Sequence, residues 1–256
     1  MKKIIIIAAV LCVAVLACSL ALQSKNEKTA APLSAAAPLA QSSAKSADKP
    51  KDKAAGAIIH IAEPGDVITL GSFPQTGFFN RKQPLRWRVL ETFYTDKALI
   101  IAENAVECMP FQAEPKEQSS WQDSDIRKWL NGEFFNNAFS PEEKQSIVTT
   151  QLNISYKRRS DNAITGYTVR DKVFLLSGEE ADKYFKDNAD RMCSPTNHAV
   201  KNGVWKSKDN SCWWWLRSSQ KGEGPAVDAG GFIHFESAQH NIKNYAVRPA
   251  MVVQMQ

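Results

Sequence analysis

Several patterns typical of enzymes and metal sites are missing from the sequence. It contains no Cys-x-x-Cys or His-x-x-x-His spacing, no glycine-rich phosphate loop and no Gly-x-Ser-x-Gly motif. Zinc sites, phosphate-binding loops and many serine hydrolases use these spacings because ligands or a nucleophile must converge in a fixed geometry. The sequence therefore predicts no metal and no cofactor, and it favours a protein that is not an enzyme.

An excess of basic charge is also missing from most of the chain. The net charge of +5 arises in residues 1–56, which hold eight lysines and three acidic residues. Residues 57–256 hold 24 basic and 24 acidic residues, so their charges balance. A domain that grips a phosphate backbone needs a basic surface. We therefore expect no nucleic-acid partner.

Residues 1–22 have the pattern of an export signal or anchor. Two lysines precede the apolar run Ile4–Ala17, which is the order found in a secretory signal peptide. The residues that end at Cys18 resemble a bacterial lipobox, in which the cysteine becomes the lipid-modified first residue. The alternatives are a soluble protein cleaved after Ala21 and an uncleaved helix, because the extended run approaches the roughly 20 residues that span a bilayer. Every alternative predicts export, and two of them predict a membrane partner.

Two regions of different composition follow this signal. Residues 23–56 are rich in Ala, Ser, Lys and Pro, and such a segment buries too little apolar surface to offset the entropy of ordering. They are predicted to be a disordered linker that holds the rest of the protein at a bacterial envelope or surface. Residues 57–256 contain all seven tryptophans and are predicted to form a single globular domain.

The domain mixes strand and helix patterns. Strands are predicted at residues 58–61, 67–70, 85–90, 98–102, 172–176, 226–228, 232–235 and 245–253. Helices are predicted to begin after the capping residues Ser140 and Ser177, and after either Asp123 or Ser124. Glycine and proline at 71–75 are expected to end a strand, and the polar residues 151–170 are expected to form a long loop. Because the helices lie between strands at both ends of the sequence, this order predicts an α+β fold.

Three consecutive tryptophans in the stretch Ser211–Ser219 give the domain its most apolar strand. Side chains alternate between the two faces of a strand. Trp213, Trp215 and Arg217 are therefore expected on one face, with Trp214 on the other. A strand with indoles on both faces is predicted to lie in the centre of a sheet.

Arg217 and Arg248 both lie in apolar strands, where a guanidinium needs a carboxylate or carbonyl partner. One interpretation is an internal ion pair with Asp171, Asp228 or Glu236. The other is a binding pocket for a sugar or an acidic peptide, because aromatic rings stack on sugars and arginine binds carboxylates through two hydrogen bonds. The residues of this predicted pocket are Trp213, Trp215, Arg217, His234 and Arg248.

Three cysteines follow the linker: Cys108, Cys193 and Cys212. In an oxidising compartment Cys193 and Cys212 could form a disulfide across the irregular segment between them. The alternative is that all three are small buried apolar residues. Nucleophilic pairs such as Cys193 with His198, or a serine with His234, arise by chance in a chain of this length, so a hydrolase is a second hypothesis.

Seven short blocks of the sequence occur in an order that can be compared with known protein families. They are Leu70–Gln75, Trp87–Leu90, Ser124–Asn131, Phe139–Glu143, Asp171–Ser177, Trp214–Ser218 and Val247–Ala250. This order resembles the bacterial family catalogued as domain of unknown function 6273, over nearly all of residues 66–254. The layout from Phe174 onwards also resembles the C-type-lectin-like fold of lectins, bacterial surface domains and formylglycine-generating enzymes. The resemblance implies a C-type-lectin-like α+β domain, and a fold alone confers no activity.

These observations predict an exported, envelope-tethered domain that is not an enzyme. Its role is expected to be structural or to be the recognition of a glycan or an acidic peptide. The alternative is an envelope enzyme, either a hydrolase or a distant relative of the formylglycine-generating group.

Overall fold

Short helices, two five-stranded sheets and a two-stranded hairpin make up the part of the chain that the structure describes. The structure is a computed structural model, and it describes residues 62–77, 81–93, 96–114, 120–157, 164–217, 223–239 and 241–255. No helix within these ranges is long and apolar enough to cross a membrane. The predicted signal, lipidation of Cys18, linker and strand at 58–61 lie outside the described residues.

The regular elements are short and strands predominate. In chain order the strands are β1 (Val67–Pro74), β2 (Lys82–Phe93), β3 (Lys97–Ala102), β4 (Glu107–Cys108), β5 (Ile147–Val148), β6 (Thr150–Lys157), β7 (Ile164–Asp171), β8 (Trp214–Trp215), β9 (Glu223–Val227), β10 (Ile233–Gln239), β11 (Ala246–Val247) and β12 (Ala250–Gln254). The helices are α1 (Asp125–Trp129), α2 (Phe135–Ala138), α3 (Pro141–Ser146), α4 (Gly178–Tyr184), α5 (Asn188–Arg191) and α6 (Asn197–Lys201).

The first sheet is antiparallel, with the order β1-β2-β3-β12-β5. The hairpin predicted from residues 85–90 and 98–102 is confirmed, since Val89 of β2 pairs with Ile100 of β3. Both side chains are buried, as is Trp87. The last strand of the chain, β12, lies between β3 and β5, so the C-terminus completes the interior of this sheet.

The second sheet has the order β10-β9-β8-β11-β4. Trp214 of β8 pairs with Val227 of β9 and, in parallel orientation, with Ala246 of β11. The prediction that the tryptophan strand is central is confirmed, although only two residues of the run are regular strand. The strands predicted at 226–228 and 232–235 are confirmed, and they belong to the antiparallel pair β9–β10.

The predicted helix starts are confirmed by their hydrogen bonds. Ser124 Oγ accepts from the Arg127 amide, and Ser140 and Ser177 each form a capping box with the glutamate three residues later. After α1 the chain continues through a π-helical turn, Leu130–Phe134, into α2. The apolar side chains of this segment face the core, where Ile126, Leu130 and Phe134 are buried and Trp129 is partly buried.

Gly71 does not end the first strand, contrary to prediction. Strand β1 continues to Pro74, and its pairing with β2 shifts register between Thr69 and Ser72. Gly71 has φ of +71°, and a Cβ there would lie 2.6 Å from ring atoms of Phe139. The glycine therefore bends the strand as a β-bulge and lets the Phe139 ring approach.

The long loop predicted at 151–170 is wrong, because these residues contribute to a two-stranded hairpin. β6 and β7 pair in register from Thr150 with Asp171 onwards. Leu152 and Ile154 are buried while Gln151 and Asn153 are exposed. This alternation of buried and exposed side chains, with a period of two, is typical of a strand. The prediction missed it because most of the surrounding residues are polar.

Two further strand predictions are wrong in detail. Residues 172–176 are buried but irregular, with one isolated bridge between Phe174 and Ala250. The predicted terminal strand, 245–253, is two strands that belong to different sheets. The break falls at Arg248-Pro249, because proline has no N–H with which to continue a ladder.

Candidate functional site

An open aromatic cleft lies beside the tryptophan strand. Its volume is about 250 Å³, and it is lined by Trp205, Trp213, Asn244 and Tyr245. Trp205 is 51% exposed, whereas Trp213 and Tyr245 are half-buried. We call these four residues the aromatic cleft.

Three separate segments meet at the aromatic cleft. Trp205 follows helix α6, and its amide donates to the Asn244 carbonyl at 3.2 Å. Trp213 and Tyr245 immediately precede β8 and β11, and the Ala246 amide donates to the Trp213 carbonyl at 2.8 Å. Because β8 and β11 are parallel neighbours, the side chains at the start of each strand lie together.

A column of rings connects the aromatic cleft to the core. The Trp213 ring lies 5.0 Å from that of His234 and 4.9 Å from that of Tyr245, in the second case nearly parallel at 18°. Tyr245 in turn packs against the fully buried Trp215, with ring centroids 4.8 Å apart. The rings of Trp213 and Tyr245 are thus held rigidly, and Trp205 is the exposed ring of the cleft.

His234 is fixed by an acidic partner. Its Nε2 lies 2.9 Å from Asp228 Oδ2, and Asp228 also accepts from the amides of Gly230 and Phe232. Burial alone would raise the pKa of Asp228, but these hydrogen bonds outweigh it and lower that pKa. Burial, together with the nearby Asp228 charge, raises the pKa of Tyr245. The Tyr245 phenol therefore stays protonated at neutral pH and can donate a hydrogen bond.

Arg217 lies away from the aromatic cleft and binds an internal carboxylate. It is 4% exposed, it forms an ion pair with Glu180, and its Nη1 also donates to the Leu175 carbonyl at 2.8 Å. The prediction of a carboxylate or carbonyl partner is confirmed, but Glu180 was not among the expected residues. Asp171 binds Arg127 and Asp228 binds His234; the Glu236 side chain is not described.

Arg248 is also buried outside the aromatic cleft, and it has carbonyl partners. Its Nε donates to the Ala102 carbonyl at 2.9 Å, and its Nη1 donates to the Arg191 carbonyl at 3.3 Å. The guanidinium lies 5.2 Å from the Phe185 ring and 5.1 Å from the Trp214 ring. Within the described ranges no carboxylate forms an ion pair with it.

The single pocket predicted from Trp213, Trp215, Arg217, His234 and Arg248 is therefore divided by the structure. Trp213 and His234 lie together at the cleft, and Trp215 is buried behind Tyr245. Arg248 is buried in the interior, and Arg217, also buried, borders a separate cleft of about 260 Å³ together with Glu180 and Tyr184. Sequence reasoning missed Trp205, Asn244 and Tyr245, because the first two lie in segments without periodicity. The one available signal was an isolated aromatic residue, Trp205, in a polar segment.

The chance nucleophilic pairs are not formed among the described residues. His198 Nε2 lies 3.1 Å from Glu107, and the Cys193 sulfur contacts main-chain carbonyls. Burial and the neighbouring Glu107 charge raise the pKa of Cys108 to about 11, so this thiol is not ionised at neutral pH. In the same part of the chain no cluster of three histidine, cysteine or acidic side chains could hold a metal ion.

Comparison with known proteins gives one match. The family model described as Domain of unknown function (DUF6273) matches residues 95–255. The matched range includes all four residues of the aromatic cleft. No curated protein and no solved structure matches the chain.

Proposed function

Because the chain belongs to the family described as Domain of unknown function (DUF6273), whose name assigns no activity, we propose a function from the site itself. The domain is a recognition module that binds a neutral glycan in the aromatic cleft. The observation that carries the proposal is the exposed Trp205 ring beside the rigid Trp213–Tyr245 stack.

The chemistry of the aromatic cleft suits a sugar. An exposed indole offers an apolar face for the C–H side of a pyranose ring. The Asn244 amide supplies both donors and an acceptor, which match sugar hydroxyl groups. At about 250 Å³ the cleft is smaller than most small-molecule sites, which span about 300–1,000 Å³, so it suits one sugar ring of a longer chain.

A neutral ligand fits better than an acidic peptide. The peptide hypothesis depended on Arg217 and Arg248, and both are buried away from the cleft. No lysine or arginine is among the four cleft residues. Asp228 lies near Tyr245 and would repel a carboxylate.

The proposal includes the location of the domain. The N-terminal signal and the linker support export and tethering at a bacterial envelope, where glycans are abundant, and the proposed fold is C-type-lectin-like. Globomycin blocks the signal peptidase that processes lipoproteins. Accumulation of an unprocessed precursor in its presence would support lipidation of Cys18, and normal processing would rule it out.

Ligand binding is tested with the full chain in titration calorimetry, using chitotriose as the neutral glycan probe and soluble muropeptides, which carry carboxylates, as the acidic comparison. We expect Trp205→Ala to weaken binding at least tenfold, about 1.4 kcal/mol, because the stacking face is lost. The control is Phe232→Ala, which removes an aromatic ring of similar exposure, 57%, outside the cleft. Absence of binding to every neutral glycan probe, or equal losses in the two variants, would overturn the proposal.

A further inference from the structure

Cys193 and Cys212 lie against each other in the interior. The Cys212 amide donates to the Cys193 carbonyl at 2.9 Å, and the two thiols are close enough to influence each other electrostatically. A main-chain hydrogen bond brings the two backbones close together, which is compatible with the Cα separation of about 4.4–6.8 Å that a disulfide spans. Both cysteines are free and buried.

Arg248 makes this pair of thiols chemically unusual. Its buried guanidinium has only carbonyl and ring partners within the described ranges. A cation in a low-dielectric interior favours any neighbouring group that can become an anion. The groups so placed are the two cysteine thiols, since the Arg248 charge acts on both of them.

The two thiols respond in opposite directions. Burial alone would raise the pKa of Cys193, but the neighbouring Cys212 thiol and the Arg248 charge outweigh it and lower that pKa. The neighbouring Cys193 and burial raise the pKa of Cys212. Cys193 is therefore the thiol of the pair that ionises more readily, and the thiolate is the form that attacks a disulfide.

We propose that Cys193 and Cys212 form a redox pair that is oxidised to a buried disulfide by exchange with an external disulfide compound. The Cys193 thiolate attacks one sulfur of the oxidant, forms a mixed disulfide and releases the first thiolate. Cys212 then loses its proton to that thiolate and attacks the Cys193 sulfur, which expels the second thiolate. The two protein thiols are oxidised, and one disulfide molecule is reduced to two thiols.

Burial determines when this exchange occurs and how long its product lasts. Cys193 is 2% exposed and Cys212 is fully covered, so the oxidant reaches them during folding or local opening. Once the structure has closed, reductants are likewise kept away from the buried disulfide. The Cys193–Cys212 disulfide closes a loop of residues 193–212, which includes helix α6 and Trp205.

The experiment uses the full chain with oxidised glutathione as the oxidant and dithiothreitol for the reduced sample. After unfolding and alkylation, we expect the oxidised sample to yield tryptic peptides 192–201 and 209–217 as one linked species. The midpoint of thermal unfolding should lie about 5–10 °C higher in the oxidised sample. Cys193→Ser and Cys212→Ser should each abolish the difference, whereas the matched control Cys108→Ser should retain it.

Three outcomes would overturn the proposal. Full alkylation of both cysteines after oxidation would show that no bond forms. A lasting glutathione adduct on Cys193 with Cys212 free would show that Cys212 does not complete the exchange. A bond from either residue to any other cysteine would contradict the pairing. The linkage is read from the wild-type chain, so the test holds even if a serine variant fails to fold.

Discussion

The tryptophans around β8 occupy two regions with opposite properties. Trp214 and Trp215 are fully buried, and their indole nitrogens donate to the carbonyls of Arg191 and Met109. Trp205 is half exposed and lines the aromatic cleft. The comparison shows that Trp214 and Trp215 are core, and that the candidate site combines Trp213, at the start of the run, with a tryptophan from another segment.

Two charged pairs of the molecule also differ in the exposure of their basic side chains. The interior pair, Arg217 with Glu180, has a guanidinium side chain that is 5% exposed. The pair at the cleft, His234 with Asp228, has an imidazole that is 37% exposed. Removing Glu180 leaves a buried guanidinium, whereas removing Asp228 leaves a partly exposed imidazole, so the energetic consequences differ.

The largest effect is expected for Trp215→Ala. The change removes a buried indole, opens a cavity beside Phe111 and Tyr245 and leaves the Met109 carbonyl without its donor. We expect a loss of about 3–5 kcal/mol in the free energy of unfolding, measured by urea denaturation. Trp205→Ala should change it by less than about 0.5 kcal/mol. Similar losses of unfolding free energy in the two variants would contradict the assignment of Trp215 to the core and Trp205 to the exposed cleft.

A smaller effect is expected for Glu180→Gln. Glutamine can still accept the Ser177 amide in the capping box, so the change isolates the loss of charge beside buried Arg217. We expect a loss of about 3 kcal/mol, because the guanidinium remains buried without a counter-charge. The control is Glu179→Gln, an exposed neighbour in the same helix, and it should have little effect on stability. Equal effects would mean that the ion pair is not important for folding.

The smallest effect concerns Asp228. Its pKa is lowered in the folded state, so its stabilising contribution is present above the unfolded value of about 3.9 and disappears as the pH falls through the folded value. Asp228→Asn should therefore lower stability at pH 7 by less than about 1 kcal/mol and converge with the wild type in acid. Urea denaturation at pH 7 and pH 2.5 measures this, with exposed Asp209→Asn as the control. A constant difference at both pH values would contradict it.

Local features of this fold were predictable from sequence. The capping boxes at Ser140 and Ser177 depend on residues three positions apart, and the stripe from Ile126 to Phe134 depends on helical period. The hairpin of β2 and β3 follows from alternation and a short connection. In each case the interacting residues are neighbours in the chain, so their spacing contains the information.

Long-range partners were not predictable in the same way. Arg217 forms its ion pair with Glu180, which is 37 positions away in the chain. The sequence contains several other carboxylates that are chemically able to form the same pair. The aromatic cleft joins Trp213 to Tyr245 because β8 and β11 are parallel neighbours, and it joins Trp205 to Asn244 through a main-chain hydrogen bond. A sheet order of this kind depends on the whole chain, and no local period encodes it.

The crossing at Arg248-Pro249 has a consequence for the order of folding. The chain leaves the second sheet after Val247 and enters the interior of the first at Ala250. Neither sheet is complete until residues 246–254 are in place. Long-range pairing of this kind makes folding slow. The two sheets are therefore expected to form together, because one short segment supplies an interior strand to each.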